Sequence, residues 1–141
     1  MDVTRIADAK KYEAARHWDM TAIRLQGLEA TPTKKVTLGL SYFLPGGGAE
    51  KSASPLERVY VVVDGEVTVT VGGKDTVLGP LDSCHIPPGE ERAIAKNGKL
   101  EAAWMMSVTL STDHRAVDGV LGAELLGAFK KLIENPVMMV V

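Results

Sequence analysis

The sequence predicts an all-β fold, a closed or two-sheet antiparallel barrel, followed by one C-terminal α-helix. Short β-branched runs crowd the middle of the chain, Gly- and Pro-bearing turns separate them at regular intervals, and helical spacing replaces the alternation after Asp113. Many short strands with such turns indicate a barrel or sandwich.

In chain order, Ala7 to Ala15 reads as a helical turn or an irregular lead-in, and Thr21 to Glu29 as a first strand. Lys35 to Leu44 is rich in β-formers and is expected to end at Pro45-Gly46-Gly47-Gly48, which continues a strand poorly. Arg58 to Val63 follows and stops at Asp64-Gly65, a favoured two-residue hairpin turn. Glu66 to Val71 alternates strictly, with Val67, Val69 and Val71 on one face, and Gly72-Gly73 leads into Asp75 to Leu78. Further strands are expected at Ser83 to Ile86, Glu91 to Lys96 and Leu100 to Val108, divided by Pro87-Pro88-Gly89 and Asn97-Gly98. Beyond them Val117, Leu121, Leu125, Ala128 and Leu132 recur at helical spacing, and Asn135-Pro136 stops the helix. Gly122 and Gly127 weaken that helix by about 1 kcal/mol each relative to alanine, so it needs a surface to pack on.

At 141 residues the chain has the length of one domain, and its 45% hydrophobic and 24% charged content is ordinary for a globular protein. A net charge of -2 offers no electrostatic case for nucleic acid or an anionic membrane. The single cysteine, Cys84, excludes an intrachain disulfide framework and a Cys-rich zinc site. The N-terminus lacks the apolar stretch of a signal peptide, and no apolar run is long enough to span a bilayer, so a cytoplasmic location is expected.

Two stretches carry a family resemblance. The first runs from Pro45-Gly46-Gly47-Gly48 through Ser52, Ser54 and Arg58 to Asp64-Gly65-Glu66; the second is Gly79-Pro80-Leu81-Asp82-Ser83-Cys84-His85-Ile86-Pro87-Pro88-Gly89-Glu90-Glu91-Arg92. From about Val36 to Val108 the chain resembles the cupin family, which implies a double-stranded β-helix (jelly-roll) barrel. The glycines and prolines match that family's two motifs, whereas its metal ligands do not. By position Ser52 and Ser54 replace a histidine pair, Arg58 replaces a glutamate, and Arg92 replaces the last histidine. Guanidiniums at ligand positions repel a cation, so no metal and no cofactor is expected. A register shifted by one would substitute Glu57 for Arg58 and turn the neighbouring apolar residues outward, which disfavours it.

In the favoured register Arg58, Tyr60 and Val62 share a face, as do Arg92 and Ile94. Each arginine alone reads first as paired with Glu57, Glu90, Glu91 or Asp82, or as reaching to the rim. Two arginines inside one barrel read as a site for a carboxylate or phosphate. Ser52, Ser54, Arg58, Tyr60 and Arg92 are therefore the candidate ligand-binding residues, and a small anionic organic molecule the expected ligand. Cys84 alternates with Ile86 on the core face while Ser83 and His85 point away, so Cys84 and His85 do not form a dyad. His17 and Asp19, beside Trp18, read either as a lid over the barrel mouth or as a packing arm. Trp104, Met105 and Met106 read first as core, with pocket lining on one face as the alternative.

The last part of the chain carries a second resemblance. Ser107-Val108-Thr109-Leu110-Ser111-Thr112-Asp113-His114-Arg115-Ala116-Val117-Asp118-Gly119, continuing to Glu134-Asn135-Pro136, resembles the C-terminal end of dihydrolipoyl acyltransferases. That resemblance makes His114 a general base toward a thiol and Asp118 a structural carboxylate. It covers about residues 106–141, and the remainder of that catalytic domain has no counterpart here. The expected division is a barrel with lead-in arm over 1–108 and an appended loop, helix and apolar tail over 109–141. Three functions stay open: a metal-independent cupin binding a small anion, enzyme or not; an assembly module whose tail docks on itself, as a homodimer, or on a partner complex; and a metal-dependent cupin using Glu50, Glu57, His85 or His17.

Overall fold

A computed structural model describes residues 1–95 and 103–110 of the chain. These form nine strands: β1 (Lys10–Tyr12), β2 (His17–Gln26), β3 (Val36–Ser52), β4 (Arg58–Asp64), β5 (Val67–Val71), β6 (Lys74–Leu78), β7 (Ser83–Ile86), β8 (Arg92–Ala95) and β9 (Ala103–Leu110). All pairings are antiparallel. The hydrogen-bonded path runs β6-β5-β8-β3-β9-β4-β7, with β2 also on β3 and β1 on β2. The predicted all-β barrel is therefore observed. The expected C-terminal helix, the Asn97-Gly98 turn and His114 lie outside the described residues. No helix among the described residues is long and apolar enough to cross a membrane.

β3 organises the barrel. Its first half, Val36 to Phe43, lies between β2 and β9; its second half, Gly48 to Ser52, pairs with β8. The expectation that the strand ends at Pro45 is corrected. Pairing with β2 shifts register between Met20–Phe43 and Trp18–Gly48, and the intervening residues form a bulge. A proline is tolerated there because its missing N–H has no ladder partner to satisfy. A Cβ on Gly48 would lie 2.5 Å from the Ile94 carbonyl oxygen, so glycine permits the close approach of β3 to β8. Trp18 closes the bend from outside, its indole donating to the Gly46 carbonyl at 2.8 Å.

Asp64-Gly65 is a second correction. β4 pairs with β7 and β9, whereas β5 pairs with β6 and β8, so this dipeptide turns a corner between distant parts of the sheet and joins no hairpin. Gly72-Gly73 is the hairpin expected. Both residues have positive φ, 57° and 77°, and Val71 faces Lys74 across them, as a two-residue loop of the type I′ class requires. In the lead-in, Lys10–Tyr12 forms a strand on β2 instead of a helical turn, and β2 starts at His17, ahead of the expected Thr21.

The core lies inside the barrel that the sheet forms. Phe43, Tyr60, Val62, Val67, Ile94, Ala103 and Met105 are fully buried there. Burial of each large apolar side chain contributes about 1.5–3 kcal/mol. A second apolar cluster, Val59, Val61 and Val108 with Val36, Leu38 and Met106, sits on the other face of β3, β9 and β4.

Candidate functional site: a barrel chamber lined by arginines

Residues directly opposite each other in an antiparallel pair project from the same face. The registers of β3, β9 and β4 therefore lay the inner face out in rows. Thr37, Thr109 and Arg58 form one row, Gly39, Ser107 and Tyr60 the next, and Ser41, Met105 and Val62 the third. The rows pass from charged and polar to apolar, and Phe43 with Ala103 continues the apolar end. Between the polar rows and the N-terminal arm lies a chamber of about 470 Å³.

Both candidate arginines line this chamber. Arg92 is only 5% exposed. Its Nε donates to the Tyr60 hydroxyl at 2.9 Å, and its Nη1 donates to the Ser52 Oγ at 2.7 Å and to the Ser52 carbonyl. Arg58 is half-buried, and its Nε is shut from solvent without a hydrogen-bond partner. Neither guanidinium has a carboxylate in ion-pair range among the described residues. The carboxylates considered from sequence as internal partners are engaged elsewhere. Glu57 pairs with His85 at 2.6 Å, Glu91 with Lys51 at 2.6 Å, and the Asp82 carboxylate accepts from the Gly79 N–H at 2.9 Å. Glu90 is exposed.

The structure thus brings Ser52, Arg58, Tyr60 and Arg92 to one chamber. Ser54 has a different place: buried in the turn before β4, its hydroxyl accepts the Leu56 N–H at 3.1 Å. Cys84 packs against the core beside Tyr60, and burial pushes its thiol above the ordinary thiol range. His85 faces the opposite way with Glu57, so no Cys84–His85 dyad exists.

The arm contributes His17, which the sequence offered as part of a lid, and Tyr12 and Glu13, which it did not join to this site. Tyr12, Glu13 and His17 line the chamber, and Glu13 is its one carboxylate among the described residues. Tyr12 reaches in over Gly39, where a Cβ would lie 3.2 Å from the phenol oxygen, and Arg24 stacks on the ring at 3.9 Å. The charge of Arg24 is answered by Glu29 at 3.4 Å. The Glu29 carboxyl is held below its usual range, first by a backbone hydrogen bond and then by Arg24. His17 Nδ1 lies 2.7 Å from the Ala15 carbonyl; a carbonyl only accepts, so the proton sits on Nδ1 and Nε2 keeps its lone pair in the neutral ring.

The family described as "Cupin domain" matches residues 39–108. A beta-D-galactosidase of Mycobacterium tuberculosis is 44% identical over 108 residues, 77% of this chain and 93% of that protein. The chain belongs to the cupin superfamily. Solved structures share the fold at low identity. The polyketide cyclase RemF from Streptomyces resistomycificus aligns with TM-score 0.69 and 16% identity, over 79% of this chain and 80% of that one. An RmlC-like cupin from Shewanella frigidimarina aligns with TM-score 0.65 and 16% identity, over 82% and 95%.

The C-terminal resemblance is also matched. The family described as "2-oxoacid dehydrogenases acyltransferase (catalytic domain)" matches residues 85–141. The dihydrolipoyllysine-residue acetyltransferase component of the Rhizobium meliloti pyruvate dehydrogenase complex is 60% identical over 53 residues, 38% of this chain and 12% of that protein. The chain spans only a small fraction of such relatives. The match begins well before Met106, and its first part, where described, forms the end of β7 together with β8 and β9 of the cupin barrel.

Of the four residues that the resemblance set at metal positions, Ser52, Arg58 and Arg92 line the chamber and Ser54 does not, and hydroxyls and guanidiniums are poor ligands for a divalent cation. Among the described residues no three His, Cys, Asp or Glu side chains converge. Of the unconventional ligands, His85 and Glu57 pair with each other, Glu50 is exposed, and only His17 reaches the chamber.

Proposed function

We propose that this cupin binds a small organic anion in its barrel chamber, without a metal. The observation that carries the reading is the pair Arg58 and Arg92: two guanidiniums line one chamber with no carboxylate in range among the described residues. A buried charge left without a partner costs several kcal/mol, and a ligand carboxylate or phosphate removes that cost with directed hydrogen bonds. The donor set at the family's metal positions supports the metal-free part. The test is a thermal-shift titration with acetate, benzoate, citrate and inorganic phosphate. A ligand at 100 times its dissociation constant stabilises the fold by about 2.7 kcal/mol. At least one anion should raise Tm in the wild type, and Arg58→Ala and Arg92→Ala should abolish the rise. If both variants respond like wild type, the anion site is wrong.

A second reading is glycoside hydrolysis, favoured by the relative named as a beta-D-galactosidase. Most glycosidases use two carboxylates flanking the scissile bond. Glu13 supplies one at the chamber. Release of nitrophenol from a nitrophenyl β-galactoside, lost in Glu13→Gln, would establish this reading. For residues 109–141 we propose a separate role in assembly, as a homodimer or on a partner complex, supported by the acyltransferase family match.

A further inference from the structure

At its chamber end the inner face of β3 and β9 departs from that of an ordinary half-solvated sheet, although Phe43, Ala103 and Met105 keep the other end of the same face apolar. Such a sheet keeps apolar side chains inside and polar ones outside. Here the chamber face carries Thr37, Ser41, Ser107 and Thr109, while Val36, Leu38, Met106 and Val108 cluster on the opposite face. Ser41 and Thr109 are 5% and 8% exposed, and among the described residues neither hydroxyl is a buried atom left without a partner, so both remain available to the chamber. Burying a hydroxyl is unfavourable unless it is hydrogen-bonded.

We propose that the chamber is built for a sugar acid, a molecule with one carboxylate and several hydroxyls on a ring or short chain. The proposal rests on the anion reading above and adds the rest of the ligand. Serine and threonine hydroxyls each donate and accept, as sugar hydroxyls do. Beside them stand Arg58 and Arg92 for the carboxylate. The row order places Thr109 directly opposite Arg58 and Ser107 directly opposite Tyr60, so hydroxyls lie beside Arg58 and beside the phenol that holds Arg92. The Tyr12 ring, backed by Arg24 at 3.9 Å, adds a flat apolar surface against which the C–H face of a sugar can rest. An aliphatic or aromatic acid would satisfy the arginines and strand the hydroxyls. A site built to hydrogen-bond a hydroxyl strongly rejects analogues that lack it.

Calorimetric titration of the full chain separates the two levels. The probes are D-galacturonate, D-glucuronate and D-gluconate as sugar acids, cyclohexanecarboxylate as a ring acid without hydroxyls, and D-galactose as a sugar without charge. At least one sugar acid should bind about tenfold or more tighter than both comparators. Thr109→Val with Ser107→Ala should weaken that sugar acid by about tenfold and leave any cyclohexanecarboxylate binding unchanged. If cyclohexanecarboxylate matches the best sugar acid, the sugar-acid assignment falls and the anion site stands. If D-galactose matches it, the anion site falls as well. Absence of binding by all five overturns both. A folded double variant, verified by its far-ultraviolet spectrum, that binds the sugar acid like wild type also overturns the assignment.

Discussion

The Tyr60 hydroxyl accepts a hydrogen bond from Nε of Arg92 at 2.9 Å, in a setting where both residues are almost wholly buried. β4 supplies the phenol and β8 the guanidinium, two strands that do not pair with each other, so the bond ties separate parts of the barrel wall. Tyr60→Phe keeps the ring and removes the acceptor, stranding a charged donor. Hydrogen bonds to charged groups contribute about 1.5–3 kcal/mol, and the variant should lose stability in that range by urea unfolding. A loss within experimental error would mean the guanidinium finds another acceptor.

Gly48→Ala should destabilise the bend in β3. The new Cβ meets a backbone oxygen, that of Ile94, which cannot rotate away. Overpacking of this kind typically costs about 1–3 kcal/mol. Gly72→Ala meets no atom within 4 Å and tests only the positive φ of 57°. Chemical denaturation should rank Gly48→Ala well below Gly72→Ala.

Cys84 should resist alkylation. Desolvation raises its thiol above the ordinary range, with a backbone hydrogen bond from Tyr60 acting in the opposite sense. The folded state therefore holds the proton where the unfolded chain releases it. Stability linked to Cys84 is complete below the unfolded thiol's pKa and declines as pH rises from there through the folded value. Iodoacetamide labelling at pH 8 should be slower than that of a free thiol, and Cys84→Ala should flatten the alkaline decline in Tm. Labelling at the rate of a free thiol would contradict the burial.

Metal content offers a direct check. Protein purified without chelator should contain iron, zinc, manganese and nickel well below one equivalent, and EDTA should leave Tm unchanged. One equivalent of any of these metals by elemental analysis would overturn the metal-free reading.

His114 should not transfer acyl groups. A general base alone contributes about 10²–10⁴-fold, and such reactions also need oxyanion donors. Acetyl-coenzyme A with dihydrolipoamide should give the same rate with wild type and His114→Ala. Truncation after Leu110 should in turn lower the oligomeric state by light scattering; an unchanged state removes the assembly role.

The barrel was legible because its signals are local: alternation in Glu66 to Val71 and the Gly72-Gly73 turn need no knowledge of partners. Arg58, Tyr60 and Arg92 were also legible, since strand alternation assigns faces once a register is chosen. Three features were not. The passage of β3 through Pro45-Gly46-Gly47-Gly48 depends on a bulge against β2, a pairing distant in sequence. The corner at Asp64-Gly65 looks like a hairpin until β5 is seen on β8. The hydroxyl wall has a sequence signal, the alternation of Val36 to Phe43, but alternation alone does not say which face is inside. Tyr12, Glu13 and His17 carried no periodic signal that tied them to the chamber.

β3 joins two parts of the barrel wall, since its first half pairs with β2 and β9 and its second half with β8. The β8-β5-β6 part and the β9-β4-β7 part cannot separate without breaking that strand's ladder. Opening is therefore concerted, and the amides of β3 should exchange with deuterium only when the whole barrel comes apart. A ligand held between Arg58 on β4 and Arg92 on β8 would clamp the same two halves a second time. Its binding should slow exchange throughout the barrel as well as at the residues it touches.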